Sequence, residues 1–288
     1  MLKFISKLVL LLLLLEGAYR CSRYINTFTA HLPIGRYAGA ITVFLCITAV
    51  IAFLERMWPA SGQRNYSNFR FALISILMAT FCSPLVSALA SALPSTSLTP
   101  LNVFLKDGPP VARAIMGTLL FVGYIAFADF FMYWSHRASH KFSILWRLHR
   151  LHHAIRPMNC LGFYVHPLDH LIFIPVVALP AALLRIDAPE MFILSAFLVG
   201  WNQFAHSDTR ITLGPLRAIF TDNAVHRLHH SARPEHFNCN FSQMFSVWDR
   251  VFGTYVDPSE EWPEAGLAEL APAGSVKEYL SIPFRRMS

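Results

Sequence analysis

The sequence predicts an all-α integral membrane protein, a helical bundle carrying a histidine-rich helical cap on its cytoplasmic side. Three observations lead there. Hydrophobic residues make up 55% of the chain and charged residues only 14%, too apolar a balance for an ordinary soluble domain. Long apolar segments recur, each bounded by polar or basic residues. Twelve of the 13 histidines lie between residues 136 and 236, leaving only His31 outside.

At the N-terminus, MLKFISKLVLLLLLLEGAYR has the basic start and short leucine run of a signal peptide but no A-x-A cleavage site. Residues 1–35 are therefore expected to hold a retained short or interfacial helix. Arg36 to Trp58, Phe69 to Leu93 and Val111 to Trp134 follow as spanning segments, so residues 36–134 form the transmembrane region. Each offers about 20 or more mostly apolar residues, enough for a hydrocarbon core of about 30 Å. His166 to Leu184 and Pro189 to Ala205, joined by the tight RIDAP turn, read as a helical hairpin.

Arginines orient the bundle. Arg56, Arg64 and Arg70 flank one connection, and Arg137, Lys141, Arg147, Arg150 and Arg156 crowd the first histidine stretch. Alternation puts both regions on the cytoplasmic side, with the loop SLTPLNVFLKDGPP opposite. Arg20, Arg23 and Arg36 fall on the non-cytoplasmic side, against that rule. The arginines between the histidines are expected to hold the site at the membrane surface. The hairpin starts and ends on the cytoplasmic side, so it returns the chain to the histidines and lets His206 meet His136. Trp248, Asp249, Arg250, Phe252 and Tyr255 mix aromatics with a charged pair, as suits packing at a membrane interface. Residues 257–288 read as a loosely ordered Pro/Glu-containing tail.

The net charge of +7 rests mostly on arginine, since only five lysines are present, and these arginines border apolar segments. A nucleic-acid partner, which would need a basic face with polar readers, is not expected. The five cysteines (Cys21, Cys46, Cys82, Cys160, Cys239) are widely spaced and contain no CxxC. Neither a disulfide framework nor a thiolate metal site follows from them.

The histidines carry the chemistry. His136 and His140 are four apart and share one helical face. His149, His152 and His153 follow an i, i+3, i+4 pattern, and His226, His229 and His230 repeat it. The pentapeptide HRLHH thus occurs twice, but its flanks differ, ILWRL before one and NAV before the other. Two helices presenting the same three-ligand face to one site explain this better than a duplication. Protonated imidazoles crowded beside arginines would repel one another, whereas metal binding holds imidazole neutral. Eight or nine imidazoles exceed the four to six ligands of one ion, which implies two metals. Imidazole suits zinc, copper, iron and nickel, and composition does not choose among them.

Asp129 lies seven residues before His136, two turns back on the same face and inside the apolar segment. An intramembrane carboxylate is costly and usually has a partner. It is expected to accept a hydrogen bond from a ligand imidazole and fix its tautomer, the alternative being an interfacial aspartate paired with Arg113 or Arg137.

The three boxes HRASH (136–140), HRLHH (149–153) and HRLHH (226–230) resemble the HxxxH, HxxHH, HxxHH pattern of the fatty acid hydroxylase and sterol desaturase superfamily. DFFMYWSHR before the first box, HPLD at 166–169 and NFSQMFSVWDRVFGTY from Asn240 strengthen the resemblance. It covers residues 110–256 well, and ERMWP at 55–59 weakly. It implies a membrane non-haem di-iron enzyme with two Fe ions (Zn may substitute), O2 as co-substrate, and a lipid substrate from the bilayer. By position, His136, His140, His149, His152, His153, His226, His229 and His230 would be ligands and His206 a ninth. His166, His170 and His236 are further possible ligands. Where relatives carry a second histidine after His206, this chain has Arg210.

The chain has no GxGxxG followed by an acidic residue, no CxxCH and no iron–sulfur spacing. An external electron donor, a cytochrome, ferredoxin or reductase, is therefore expected. The rival reading is a membrane metal-binding or metal-transport protein without redox turnover. Transporters tend to place ion sites near the midplane on broken helices, whereas most histidines here lie beyond helix ends.

Overall fold

The structure is a computed structural model and describes residues 35–62, 66, 68–91, 108–183, 188–259 and 261–285. Residues 1–34 of the expected N-terminal helix, residues 185–187 of the RIDAP turn and most of the SLTPLNVFLKDGPP loop lie outside the described residues. Among the described residues regular structure is helical, with two isolated β-bridges.

The apolar segments form the long helices: α1 (Gly35–Met57), α2 (Phe69–Ser91), α3 (Pro110–Lys141), α5 (His170–Leu183) and α6 (Ala188–Ala205). The amphipathic helix α4 (Ser143–His153) joins α3 to the core. Shorter helices follow: α7 (Asn223–His229), α8 (Val247–Val251) and α9 (Val276–Ser281). α2 packs on α5, α1 on α6, and α3 on both α4 and α5.

One helix among the described residues, α3, is long and apolar enough to cross a membrane by length and composition. Its 32 residues extend about 48 Å at 1.5 Å per residue, more than a hydrocarbon core of about 30 Å. Val111, Ile115, Leu119 and Val122 leave an apolar strip of this helix exposed. His136 and His140 occupy its last two turns.

The buried core has three parts. Val43, Phe44, Ile47 and Ile51 of α1 meet Ala72 and Ile76 of α2 and Leu161 of the loop after α4. Tyr124, Ile125 and Ala128 of α3 pack on Met244. Phe71, Leu151, Ile155 and Tyr164 gather around Tyr279 and Ile282 from the C-terminal segment.

That third part corrects the expectation of a loose tail. Tyr279 is fully buried, stacked on Phe71 with ring centroids 4.9 Å apart, and its hydroxyl donates to the Val165 carbonyl. Ser275 caps α9 by accepting from the Glu278 amide at 3.1 Å. The Pro/Glu composition hid a short helix whose one large aromatic residue anchors it. Gly266 (φ +126) belongs to the same return path, because a Cβ there would overlap the Arg156 side chain that donates to the Leu267 carbonyl.

The structure also reassigns two arginines. Arg150 and Arg227, the second residues of the two HRLHH boxes, are both only 4% exposed. Arg150 donates to the carbonyls of Ile282 and Arg285 at 2.7 and 2.9 Å. Arg227 forms a buried ion pair with Asp208 at 2.7 Å. They lock helices to their surroundings and do not face a membrane surface, because each finds its acceptors inside the protein.

Candidate metal centre

Nine imidazoles converge where α3, α4 and α7 meet the end of α6. The geometry divides them into two groups. His136, His140, His149, His153 and His229 offer nitrogens all within 4.8 Å of one another, and so do His152, His206, His226 and His230. Eight of the nine are buried, and His140 is half-buried.

The sequence expectation that both three-ligand faces meet at one site is corrected here. From the first HRLHH, His149 and His153 enter the five-histidine group, while His152 enters the other. From the second, His226 and His230 enter the four-histidine group, while His229 crosses. Each box sends its i, i+4 pair to one group and its i+3 residue to the other. His206 accordingly meets His152 and His226, not His136.

Local structure aims these rings. α7 begins at Asp222, whose carboxylate accepts the amides of Ala224 and Val225, both at 3.1 Å. Asp222 also holds Arg217 at 2.7 Å. At the end of α6, the Asp208 carboxylate binds Arg227 together with Ser61 and Gly62. Glu55 accepts the amides of Cys160 and Asp208, at 2.7 and 2.8 Å, so the ERMWP segment ties the loop after α4 to the chain just after His206.

Four rings are oriented by backbone carbonyls. Nδ1 of His136 donates to Phe241 at 2.7 Å, that of His152 to Tyr164 at 3.1 Å, that of His206 to Asn202 at 2.8 Å, and that of His229 to Cys239 at 2.7 Å. A carbonyl only accepts, so each of these Nδ1 atoms carries the proton and each Nε2 is left as a lone pair. The Nε2 atoms of His152 and His206 nevertheless lie 3.2 Å apart, with no hydrogen available between them. His206 to His226 is 3.0 Å, and His153 to His229 is 3.1 Å. Facing lone pairs repel unless a cation lies among them. Two imidazoles on one ion, each at about 2.1 Å, sit about 3.0–3.4 Å apart at right or tetrahedral angles. Nε2 of His136, His140 and His149 is buried without a hydrogen-bond partner. The donor set therefore fits metal ions, one for each group.

Electrostatics agrees. Burial, reinforced by neighbouring imidazoles, holds His149, His152, His153, His226, His229 and His230 well below the usual imidazole range. Burial also lowers His206, to about 4. Neutral imidazole is the metal-binding form.

Asp129 does not touch an imidazole, nor does it pair with an arginine. Its two oxygens accept the amides of Met244 and Phe245, at 3.0 and 2.8 Å. Asp249 accepts those of Phe241 and Ser242, at 2.7 and 2.9 Å. The two carboxylates clamp the loop that presents the Phe241 carbonyl to His136. Asp129 thus acts one step further from the metal centre than expected, because unpaired loop amides reach it first. Trp248 and Phe252 from the same segment pack on Phe130 and Tyr133 of α3.

His166, His170 and His236 lie outside both groups. His166 accepts the Leu168 amide and donates to the Leu280 carbonyl, His170 pairs with Ser75, and His236 with Ser231. Arg210 is exposed and its backbone bonds to Trp58, away from the cluster. Sequence reasoning missed Asp169, whose carboxylate lies 3.7 Å from Nδ1 of His149, although HPLD stands out as a motif. It also missed the four orienting carbonyls, which carry no side-chain signal.

A cavity of about 270 Å³ opens beside the five-histidine group. His140, His153 and His229 form one wall, with Trp146, Phe237 and Glu269 among the other lining residues.

The fatty acid hydroxylase family model matches residues 121–254. An ornithine lipid hydroxylase, OlsE, of Rhizobium tropici is 24% identical over 259 residues, covering 85% of this chain and 75% of that protein. An alkylglycerol monooxygenase of Xenopus tropicalis is 29% identical over 134 residues, covering 46% of this chain and 30% of that protein. A Delta(7)-sterol 5(6)-desaturase of Gibberella zeae is 32% identical over 159 residues, covering 54% and 42%. No solved structure matches. Residues 121–254, matched by the family model, contain all three histidine boxes and His206.

Proposed function

From the match of residues 121–254 to the fatty acid hydroxylase family model we propose that the protein belongs to that family and is a membrane-bound, O2-dependent di-iron lipid hydroxylase or desaturase. One observation carries the reading: nine imidazoles, eight of them buried, converge as two adjacent groups, with the Nε2 lone pairs of His152 and His206 facing each other. In this reading His136, His140, His149, His153 and His229 hold one iron, and His152, His206, His226 and His230 the other. Two irons there would supply the electron transfer and oxygen activation needed to oxidise an unactivated lipid C–H bond.

The chain's own residues do the rest. The carbonyls of Phe241, Tyr164, Asn202 and Cys239 keep four rings from turning. The cavity beside His140 and His153 receives the reacting part of the lipid, with Trp146 and Phe237 as apolar lining residues. The exposed apolar strip of α3 supports residence in a bilayer, with the other long helices completing a multi-pass bundle and the histidines on the cytoplasmic side. Electrons come from an external cytochrome, ferredoxin or reductase. A ligand set at helix ends beside a cavity supports this reading over a metal-transport path through the bundle.

The test uses the purified full chain, loaded anaerobically with ferrous iron and supplied with a chemical reductant, O2 and a bacterial lipid extract. Two irons per chain and a lipid gaining one oxygen or losing two hydrogens are expected. Metal binding without any lipid product would overturn the enzyme reading.

A further inference from the structure

Asp169 is fully buried, and neither of its carboxylate oxygens has a hydrogen-bond donor. The turn that carries it is built locally. His166 caps it by accepting the Leu168 amide at 3.2 Å, Pro167 starts it, and the Asp169 amide donates to the His166 carbonyl at 2.8 Å. The backbone therefore aims the carboxylate inward whatever lies there. What lies there is His149, with Nδ1 3.7 Å from the nearer carboxylate oxygen. Both nitrogens of His149 are themselves buried without hydrogen-bond partners. Two unpartnered groups thus face each other inside the protein, an arrangement that costs free energy unless something completes it.

We infer that Asp169 is a positioning residue for the five-histidine group, accepting the Nδ1 proton of His149 and turning Nε2 of that ring toward the metal. The inference rests on the metal-centre reading above. Four of the other rings have this service from backbone carbonyls. His149 has no such carbonyl, and Asp169 is the one carboxylate brought this close to a cluster imidazole among the described residues. A separation of 3.7 Å is longer than a hydrogen bond, and a small turn of the ring closes it. The consequence is an asymmetry: a side-chain carboxyl group, where four other rings have a backbone carbonyl, stands behind one ligand of one group, which strengthens that imidazole as a donor and raises the affinity of that site.

The experiment titrates the metal-free full chain with cobalt(II) and follows the visible absorption of each site, in the parent and in Asp169→Ala and Asp169→Asn. Asp169→Ala should weaken one of the two cobalt sites by about 10- to 100-fold and leave the other unchanged. Asp169→Asn keeps an oxygen that accepts the Nδ1 proton, so it should give a smaller loss at the same site. In a His149→Ala background, Asp169→Ala should add no further loss. A merely structural role would instead weaken both sites together and lower the melting temperature of the metal-free protein, and that result would overturn the inference, as would two unchanged sites. If Asp169→Ala does not fold, Asp169→Asn replaces it: a loss confined to one site supports the inference, and a loss at both sites or at neither overturns it. A parent protein that binds no cobalt would defeat the metal-centre reading itself, whereas two sites in the parent with no effect of Asp169 would defeat only this inference.

Discussion

His153 and His230 stack face to face, their ring centroids 4.3 Å apart and their planes 17° from parallel. They belong to different histidine groups, so this contact is the seam between the two candidate metal positions. It brings the ends of the two HRLHH boxes into register. Substitutions on either side of the seam, and in the contacts that brace it, have distinct expected outcomes.

The crossing of the boxes is visible in metal content. His153→Ala and His229→Ala, from different boxes, should deplete the same ion. His152→Ala and His226→Ala should deplete the other. Metal analysis with cobalt spectra of the four variants checks this, and pairing by box instead of by group would refute the assignment.

Asp129→Ala should destabilise the protein by about 2–3 kcal/mol, because it leaves two buried amides of the 241–249 loop without their acceptor. The Phe241 carbonyl would then lose its fixed place over His136. Melting temperature in detergent and retention of iron during gel filtration should both fall.

Asp208→Ala should cost about 3–5 kcal/mol by leaving Arg227 buried and unpaired. Replacing both partners, as in Asp208→Leu with Arg227→Met, should recover part of that loss. Thermal unfolding of the two single variants and the double variant measures the coupling.

Acid should loosen the metal-free protein. In the unfolded chain imidazoles titrate near pH 6.5, while in the fold burial holds six cluster histidines well below that. The unfolded state therefore gains protons first as pH falls. Stability is complete above about pH 6.5 and declines below it. A melting temperature of the metal-free protein that stays flat from about pH 7.5 to 5 would contradict this.

Much of the site was legible because helical spacing is a local property. All nine histidines singled out by spacing and resemblance enter the two groups. The apolar segments became helices close to their expected bounds, as with Phe69–Ser91 against Phe69 to Leu93. The errors fell where a polar side chain had to find a partner far away in sequence. Asp129 found loop amides 115 and 116 positions away. Arg150 found carbonyls 132 and 135 positions away in a segment whose composition suggested little order.

The sequence by itself determined which residues could bind metal, since i, i+3 and i+4 always share one side of a helix. The tertiary structure alone decided which group each imidazole joins. With about 100° of rotation per residue, neighbours such as His152 and His153 point about 100° apart, so one helix can feed two sites. Only the tertiary placement of α7 against the end of α6, held by the Asp208–Arg227 pair, and of the 241–249 loop against α3, held by Asp129, determines where those directions meet.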